Sequence, residues 1–181
     1  HNAIVTIGNF SKGQTILIQG ASSGVGLMGL QIAKHLGAKL VIGTSTKPEK
    51  FDKLKSIGAD LVVNSKDKDW VDQVLQSTNN EGVDLIIDQL SGYTINENMR
   101  ASKVKGTIVN VGRLAGGNTE FNCDLHALRR INYRGVTFRT RSKNEIRDVY
   151  SKMWADLSDL VTRGELSLPI DKIFEFNDVA D

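Results

Sequence analysis

The stretch Gly20-Ala21-Ser22-Ser23-Gly24-Val25-Gly26 limits what this chain can fold into more than any other segment. It follows the apolar run Thr15-Ile16-Leu17-Ile18-Gln19 and leads into Leu27 to Leu36, where apolar residues recur at helical spacing. A strand, a tight turn of small residues and a helix, in that order, is the context in which a glycine motif marks a dinucleotide site. The helix start offers unpaired N–H groups and the positive end of a dipole to a pyrophosphate. Ala21, Ser22, Ser23, Gly24, Val25 and Gly26 are therefore candidate cofactor-binding residues. The glycines can be framed in two ways. Gly24-Val25-Gly26-Leu27-Met28-Gly29 spells G-x-G-x-x-G but puts its third glycine inside the helix. The frame Ala21-x-Ser23-x-x-Gly26 sets the turn directly after the strand and is preferred. Gly29 then lets the helix lie close on the sheet.

The same alternation continues along the chain. Residues 15–19, 39–43, 61–63, 83–88, 107–111 and 135–138 read as strands, and 24–36, 48–57, 67–77, 93–102 and 145–163 as helices. The strands are nearly continuous apolar runs, as expected when helices cover both faces of a sheet. The expectation is one α/β domain, a doubly wound parallel six-stranded Rossmann sheet with helices on both faces. Gly37, Gly58, Gly82 and Gly106 fall where a helix has ended and a strand is about to begin. The last long helix carries an apolar stripe of Val149, Met153, Trp154, Leu157, Leu160 and Val161, with Trp154 expected in the core. Residues 170–176 read as a late strand and 177–181 as a helix start.

Charge and cysteine content remove several classes of function. A formal net charge of +2 argues against nucleic acid or a membrane surface as partner, and Arg129, Arg130, Arg134, Arg139 and Arg141 read as a local solvated face. No apolar run approaches the ~18 residues of a membrane span. Cys123 is the sole cysteine, so no internal disulfide is possible. It reads as a small, half-buried core residue, and a cytoplasmic location is expected. His1, His35 and His126 have no metal-ligand spacing with it. The chain opens on His1 rather than Met, which reads as a boundary within a longer protein, with any targeting signal removed.

The end of the second strand bears on which dinucleotide is bound. An acid roughly 20 residues beyond the glycines holds the ribose 2′-hydroxyl of the non-phosphorylated cofactor. Here the strand tip reads Gly43-Thr44-Ser45-Thr46-Lys47-Pro48-Glu49-Lys50, with hydroxyls and lysines and no acid. That composition suits a dianionic 2′-phosphate, so NADPH is expected over NADH. A solvated helix start, with Glu49 paired to Lys53, is the plainer alternative.

The glycine turn also fits the short-chain dehydrogenases, which need a Tyr-x-x-x-Lys pair. Tyr93, Tyr133 and Tyr150 are followed four residues on by Glu97, Thr137 and Trp154, so the pair is absent. A second pattern fits in register: residues 15–26, Lys34-His35-Leu36-Gly37-Ala38, Pro48-Glu49-Lys50, Ile57-Gly58-Ala59-Asp60, Gly82-Val83-Asp84, Gly106 and Phe138-Arg139-Thr140-Arg141. Together these blocks resemble the cofactor domain of the medium-chain dehydrogenase/reductase superfamily, in its zinc-independent quinone oxidoreductase branch.

The resemblance implies hydride transfer from NADPH to a small-molecule acceptor, a quinone, enone or aldehyde. It implies that residues 21–26 line the pyrophosphate, that Ser45, Thr46 and Lys50 hold the 2′-phosphate, and that Gly112, Arg113, Phe138 and Arg139 lie near the nicotinamide. The branch commonly carries Asn-Tyr-Lys after the third strand, with the tyrosine close to the adenosine phosphate. Here Asn64-Ser65-Lys66 stands there, leaving Ser65 a shorter reach. The family also implies a GroES-like catalytic domain before residue 1 and a C-terminal segment beyond residue 181. No catalytic residue is identified in the chain itself, and slow turnover by the chain alone is expected. A non-catalytic nucleotide-binding module and a polyketide synthase enoyl reductase module are the alternatives. A homodimer through the outermost strand near Val136 is expected as well, although Arg134, Arg139 and Arg141 flank that edge.

Overall fold

The computed structural model describes residues 1–170 and 172–178. Its strands are β1 (Thr15–Ile18), β2 (Leu40–Thr44), β3 (Leu61–Val63), β4 (Val83–Asp88), β5 (Ser102–Asn110) and β6 (Asn132–Gly135). All pair in parallel, in the order β3-β2-β1-β4-β5-β6. The helices are α1 (Gly24–His35), α2 (Phe51–Ile57), α3 (Trp70–Ser77), α4 (Ile95–Ala101), α5 (Cys123–Arg129) and α6 (Lys143–Thr162). The Rossmann expectation holds.

Apolar residues on both parities of each strand explain the two-sided burial. Ile16, Ile18, Val41, Leu85, Ile87 and Val109 pack with Leu30 and Ala33 of α1, Leu54 of α2, and Leu157 and Leu160 of α6. Their neighbours Leu17, Ile42, Ile86 and Ile108 face the other way, onto Trp70, Val71 and Val74 of α3 and Met99 of α4. Successive strand side chains point to opposite faces, so an all-apolar strand needs two layers of helices. Parallel pairing brings the C-terminal ends of all six strands to one edge, and the order reverses between β1 and β4. A crevice at such a switch point is where doubly wound sheets bind ligands.

Several boundaries differ from the sequence reading. The sixth strand is Asn132–Gly135, not 135–138, because β5 ends at Asn110 and offers no further partners. Val136 donates its N–H inward to the Asn110 carbonyl at 3.0 Å, so it is not on the free edge. Helix α5 escaped the periodicity because it buries no residue; Asn122 caps it by accepting from the Leu125 N–H. Cys123 sits at its exposed start, not in the core. A single turn at Ala3–Ile7 also went unforeseen, and it tucks Ile4 into the core. Gly106 lies within β5 rather than at a helix end; the register slips there, and an added Cβ would stand 2.8 Å from the Lys103 carbonyl oxygen. Gly37 and Gly58 do end helices with positive φ, whereas Gly82, also at positive φ, lies beyond the Thr78 cap of α3 and directly precedes β4.

On α6 the buried stripe narrows to Leu157 and Leu160 with Met153 beside them, and Trp154 is 55% exposed. The described residues among 170–176 form no strand, since neither outer strand, β3 or β6, pairs with them. They end in a short turn at Phe176–Asp178, and the rest of the expected C-terminal helix, 179–181, lies outside the described residues. Among the described residues no helix is long and apolar enough to cross a membrane.

Burial on α6 sets the expected cost of truncation. Leu157→Ala leaves a cavity under the sheet and should cost about 2–5 kcal/mol. Trp154→Ala removes a mostly exposed ring and should cost about 0.5 kcal/mol or less. Urea midpoints of the two variants would rank them, and equal losses would place Trp154 in the core after all.

Candidate functional site

The turn after β1 is built by close approach. Gly20 leaves the strand at φ +67°, and Ser23 caps α1 by accepting from the Gly26 N–H at 3.0 Å. The one Ser23 hydroxyl proton is shared between the Gly20 carbonyl and Gln89 Oε1, each 2.9 Å from Oγ, so the side chain shapes the turn rather than facing a ligand. A Cβ on Gly26 would stand 2.6 Å from Ala21 Cα and from the Gly20 oxygen. One on Gly29 would meet only the Ile18 side chain, at 3.4 Å. Gly26 is thus the residue that lets helix and turn touch, which supports the frame Ala21-x-Ser23-x-x-Gly26. Among the described residues nothing accepts from the Gly24 and Val25 N–H groups. Two free donors at the start of a helix suit a pyrophosphate. Ala21 is buried beneath the turn, Ser22 is partly exposed, and Gly24 and Val25 form its outer surface.

The β2 tip divides its hydroxyls. Thr44 is buried, accepting from the Gly20 N–H at 3.0 Å and donating to Gln19 Oε1 at 2.7 Å. Ser45 is buried and accepts from the Lys47 N–H, while Thr46 and Lys50 are exposed. Ser22, Lys50 and Lys53 line one cavity of about 310 Å³ beside the glycine turn. Lys53 was missed as a site residue, although its place three residues after Lys50 puts both on one helical face. It forms no ion pair with Glu49 among the described residues.

The far end of the crevice holds the other candidates. Gly112 runs so close to β4 that a Cβ would lie 2.4 Å from the Gln89 carbonyl oxygen. Arg113, Phe138 and Arg139 line a second cavity of about 520 Å³ with Val111, Tyr150 and Met153. The Arg141 guanidinium lies 4.9 Å from the Phe138 ring centroid. Ser65 borders a third cavity, on the α3 and α4 side. Ser22 and Lys50, then Arg113, Phe138 and Arg139, then Ser65 therefore line three separate hollows rather than a single pocket.

A family of zinc-binding dehydrogenases matches residues 24–157. The chain belongs to that family. The match bears out the resemblance to the cofactor domain of the medium-chain dehydrogenase/reductase superfamily. A low-reducing polyketide synthase of Aspergillus calidoustus is 32% identical over 69% of this chain, which spans 6% of that enzyme. A probable quinone oxidoreductase of Leishmania amazonensis is 34% identical over 62% of this chain, and the match spans 33% of that protein. The quinone oxidoreductase of Escherichia coli, solved with NADPH, shares the fold at a TM-score of 0.80 and 20% identity, covering 93% of this chain and 51% of its own. The chain thus spans well under two thirds of these relatives. The family name implies zinc, but among the described residues no three His, Cys, Asp or Glu side chains converge as ligands.

A buried set of polar side chains, unexpected from the sequence, ties together the loops that follow β1, β4 and β5. Gln19 donates to Asn98 Oδ1 at 2.6 Å, and Gln89 donates to the Gln19 carbonyl at 3.0 Å. Asp88 Oδ1 accepts from the Leu90 and Ser91 N–H groups, both at 2.9 Å. Ser91 donates to the Gly112 carbonyl at 2.8 Å and accepts from Asn110, which also donates to Tyr133 Oη at 3.0 Å. Ser91 holds φ 54° and ψ −145°, a region nearly confined to glycine, so these bonds over-determine a strained backbone. The available signal was a polar residue at the tip of each apolar strand: Gln19, Thr44, Asp88 and Asn110.

Burial pushes the Asp88 carboxyl above its ordinary range, against the opposing pull of the Ser91 and Leu90 N–H groups. Its Oδ2 is buried without a partner. A raised folded pKa favours folding below the unfolded value, and that contribution is lost as pH climbs through the folded pKa. Wild type should therefore lose stability relative to Asp88→Asn as pH rises above about 4. Urea unfolding across a pH series would show it, and a gap independent of pH would mean that Asp88 titrates alike folded and unfolded.

Proposed function

We propose that this chain is the NADPH-binding domain of a zinc-independent oxidoreductase that passes hydride to a quinone, enone or aldehyde. The observation that carries the reading is the pairing of two free N–H donors at Gly24 and Val25 with a cavity holding Lys50 and Lys53 and no acid. Bound there, the cofactor supplies the hydride, and the chain supplies position and charge. The helix start holds the pyrophosphate. Lys50, Lys53, Ser45 and Thr46 surround the 2′-phosphate, and Ser65 lies toward the adenosine. Gly112 leaves room for the chain above β4, and Arg113, Phe138 and Arg139 border the nicotinamide end. The acceptor is positioned by residues outside this chain. The quinone oxidoreductases among the relatives support a quinone. The polyketide synthase relatives favour a second reading, an enoyl reductase module, and the length of the whole polypeptide would separate the two.

The domain is also proposed to dimerise across β6, the outermost strand. The inward Val136 N–H implies by alternation that the Tyr133 and Gly135 N–H groups face the open edge. Of the arginines beside β6, Arg134 and Arg141 are held by contacts elsewhere in the domain. Arg134 Nη1 donates to the Ile7 carbonyl at 3.0 Å, and Arg141 donates to the Thr137 carbonyl at 2.8 Å and to Asn2 Oδ1 at 2.7 Å. The charge of these two side chains, which would oppose strand pairing, is thereby drawn off the edge.

Calorimetric titration should give tighter binding of NADPH than of NADH. Lys50→Glu should weaken NADPH by roughly 1–3 kcal/mol, the loss of a charge-assisted contact, and leave NADH nearly unchanged. Equal affinities in the unmodified chain would remove the 2′-phosphate site. For the dimer, Gly135→Pro deletes an outward donor and should give monomers, whereas Val136→Pro would break the sheet itself. A wild-type chain that scatters light as a monomer at high concentration would end that proposal.

A further inference from the structure

We infer that Gln31 is a positioning residue for the cofactor: it clamps the chain beyond α6 along α1, so that Pro169 and Ile170 wall the cavity of Lys50 and Lys53 and shield the 2′-phosphate from water. This rests on the proposed nucleotide site and goes on to name what strengthens its charge contacts. The clamp is a paired contact. Gln31 Nε2 donates to the Ser167 carbonyl at 2.9 Å, and the Ser167 N–H donates to Gln31 Oε1 at 3.1 Å. The other amide proton of Gln31 goes to the Leu27 carbonyl of its own helix, at 3.0 Å. Both ends of the amide are therefore engaged, and the side chain ties α1 to the strap in one orientation.

The path of the strap leads to the glycine turn. Gly164 takes the chain out of α6 at φ +68°, and the Glu165 N–H donates back to the Leu160 carbonyl at 2.9 Å. Leu166 then packs on the core, and Ser167 meets Gln31. Leu168 reaches the first turn of α1, where a Cβ added to Gly24 would stand 4.0 Å from Leu168 Cδ1. Gln31 and Gly24 lie about two turns apart on α1, so the strap runs beside the helix toward the N–H groups proposed to hold the pyrophosphate. Pro169 and Ile170 then join Ser22, Leu54, Lys50 and Lys53 in lining the cavity of about 310 Å³. Among the described residues, 168–170 make no hydrogen bond of their own, so the last fixed point before the cavity is the clamp at Ser167.

The wall is apolar, and its chemistry acts on charge. Leu54, Pro169 and Ile170 present hydrocarbon, and proline has no N–H to leave unpaired. A charge pair beside such a wall is stronger than one in open water and is less screened by salt. The dianionic 2′-phosphate of NADPH would feel that difference in its contacts with Lys50 and Lys53. The uncharged 2′-hydroxyl of NADH would feel little of it.

The test is calorimetric titration of NADPH and NADH into this chain at low and at high salt. Gln31→Leu removes the clamp from α1, and Ser167→Pro removes its N–H from the strap and leaves α1 unaltered. Each should weaken NADPH roughly tenfold, the scale of two lost hydrogen bonds, and NADH by less than about threefold. Each should also make NADPH binding fall more steeply with salt than in wild type. Unchanged NADPH affinity in both variants would overturn the inference while leaving the nucleotide site in place. Equal weakening of the two dinucleotides, an unchanged salt dependence, or loss of the fold in both variants by circular dichroism would each overturn it too, since the clamp would then be structural only. Failure of both dinucleotides to bind the wild-type chain would overturn the proposed function, and this inference with it.

Discussion

Everything at the candidate site depends on how closely α1 approaches the turn that precedes it. At Gly26 there is no room for a single methyl group, since backbone atoms of Gly20 and Ala21 occupy the space. That contact fixes where α1 begins, and so where its free N–H groups point. It also lets Ser23 reach both the Gly26 N–H and Gln89, so the turn is tied to β4 as well as to its own helix. A larger residue would have to push the helix away, and the donors at Gly24 and Val25 would move with it.

The second determinant is where polar groups are tolerated. Strand interiors here are apolar on both faces, and the polar residues come at the tips, where backbone pairing ends. Gln19, Thr44, Asp88 and Asn110 are all buried there, and their side chains bond to one another, to neighbouring residues or to Asn98 of α4. In a low-dielectric setting satisfied bonds of this kind rigidify, and unsatisfied ones are costly. The satisfied bonds hold the loops after β1, β4 and β5 in register with one another. Asp88 Oδ2, Ser65 Oγ and Glu97 Oε2 are buried along the same edge without a partner.

Much of this is legible in the amino-acid sequence. The glycine turn between Ile18 and Leu27 could be placed because its signal is local: small residues, an apolar strand before and a helical pattern after. The first five strands could be read because unbroken apolar runs bounded by glycines have few alternatives. The sixth was displaced, since Asn132–Gly135 is polar and owes its strand conformation to pairing with Thr107–Asn110, a long-range contact. Helix α5 lacks any apolar stripe and was invisible for the same reason. Trp154 and Cys123 were misjudged because residue type predicts average burial, whereas actual burial depends on which face a neighbour covers.

The sequence by itself determined the class of fold, the place of the glycine turn and the absence of an acid at the β2 tip, because each depends on residues adjacent in the chain. Only the tertiary structure decided which small residue makes the close contact, that Ser23 and Thr44 spend their hydroxyls internally, and that Lys53 joins Lys50. Each of these depends on groups brought together from distant strands and helices, and chain order carries no measure of that distance until the sheet has closed.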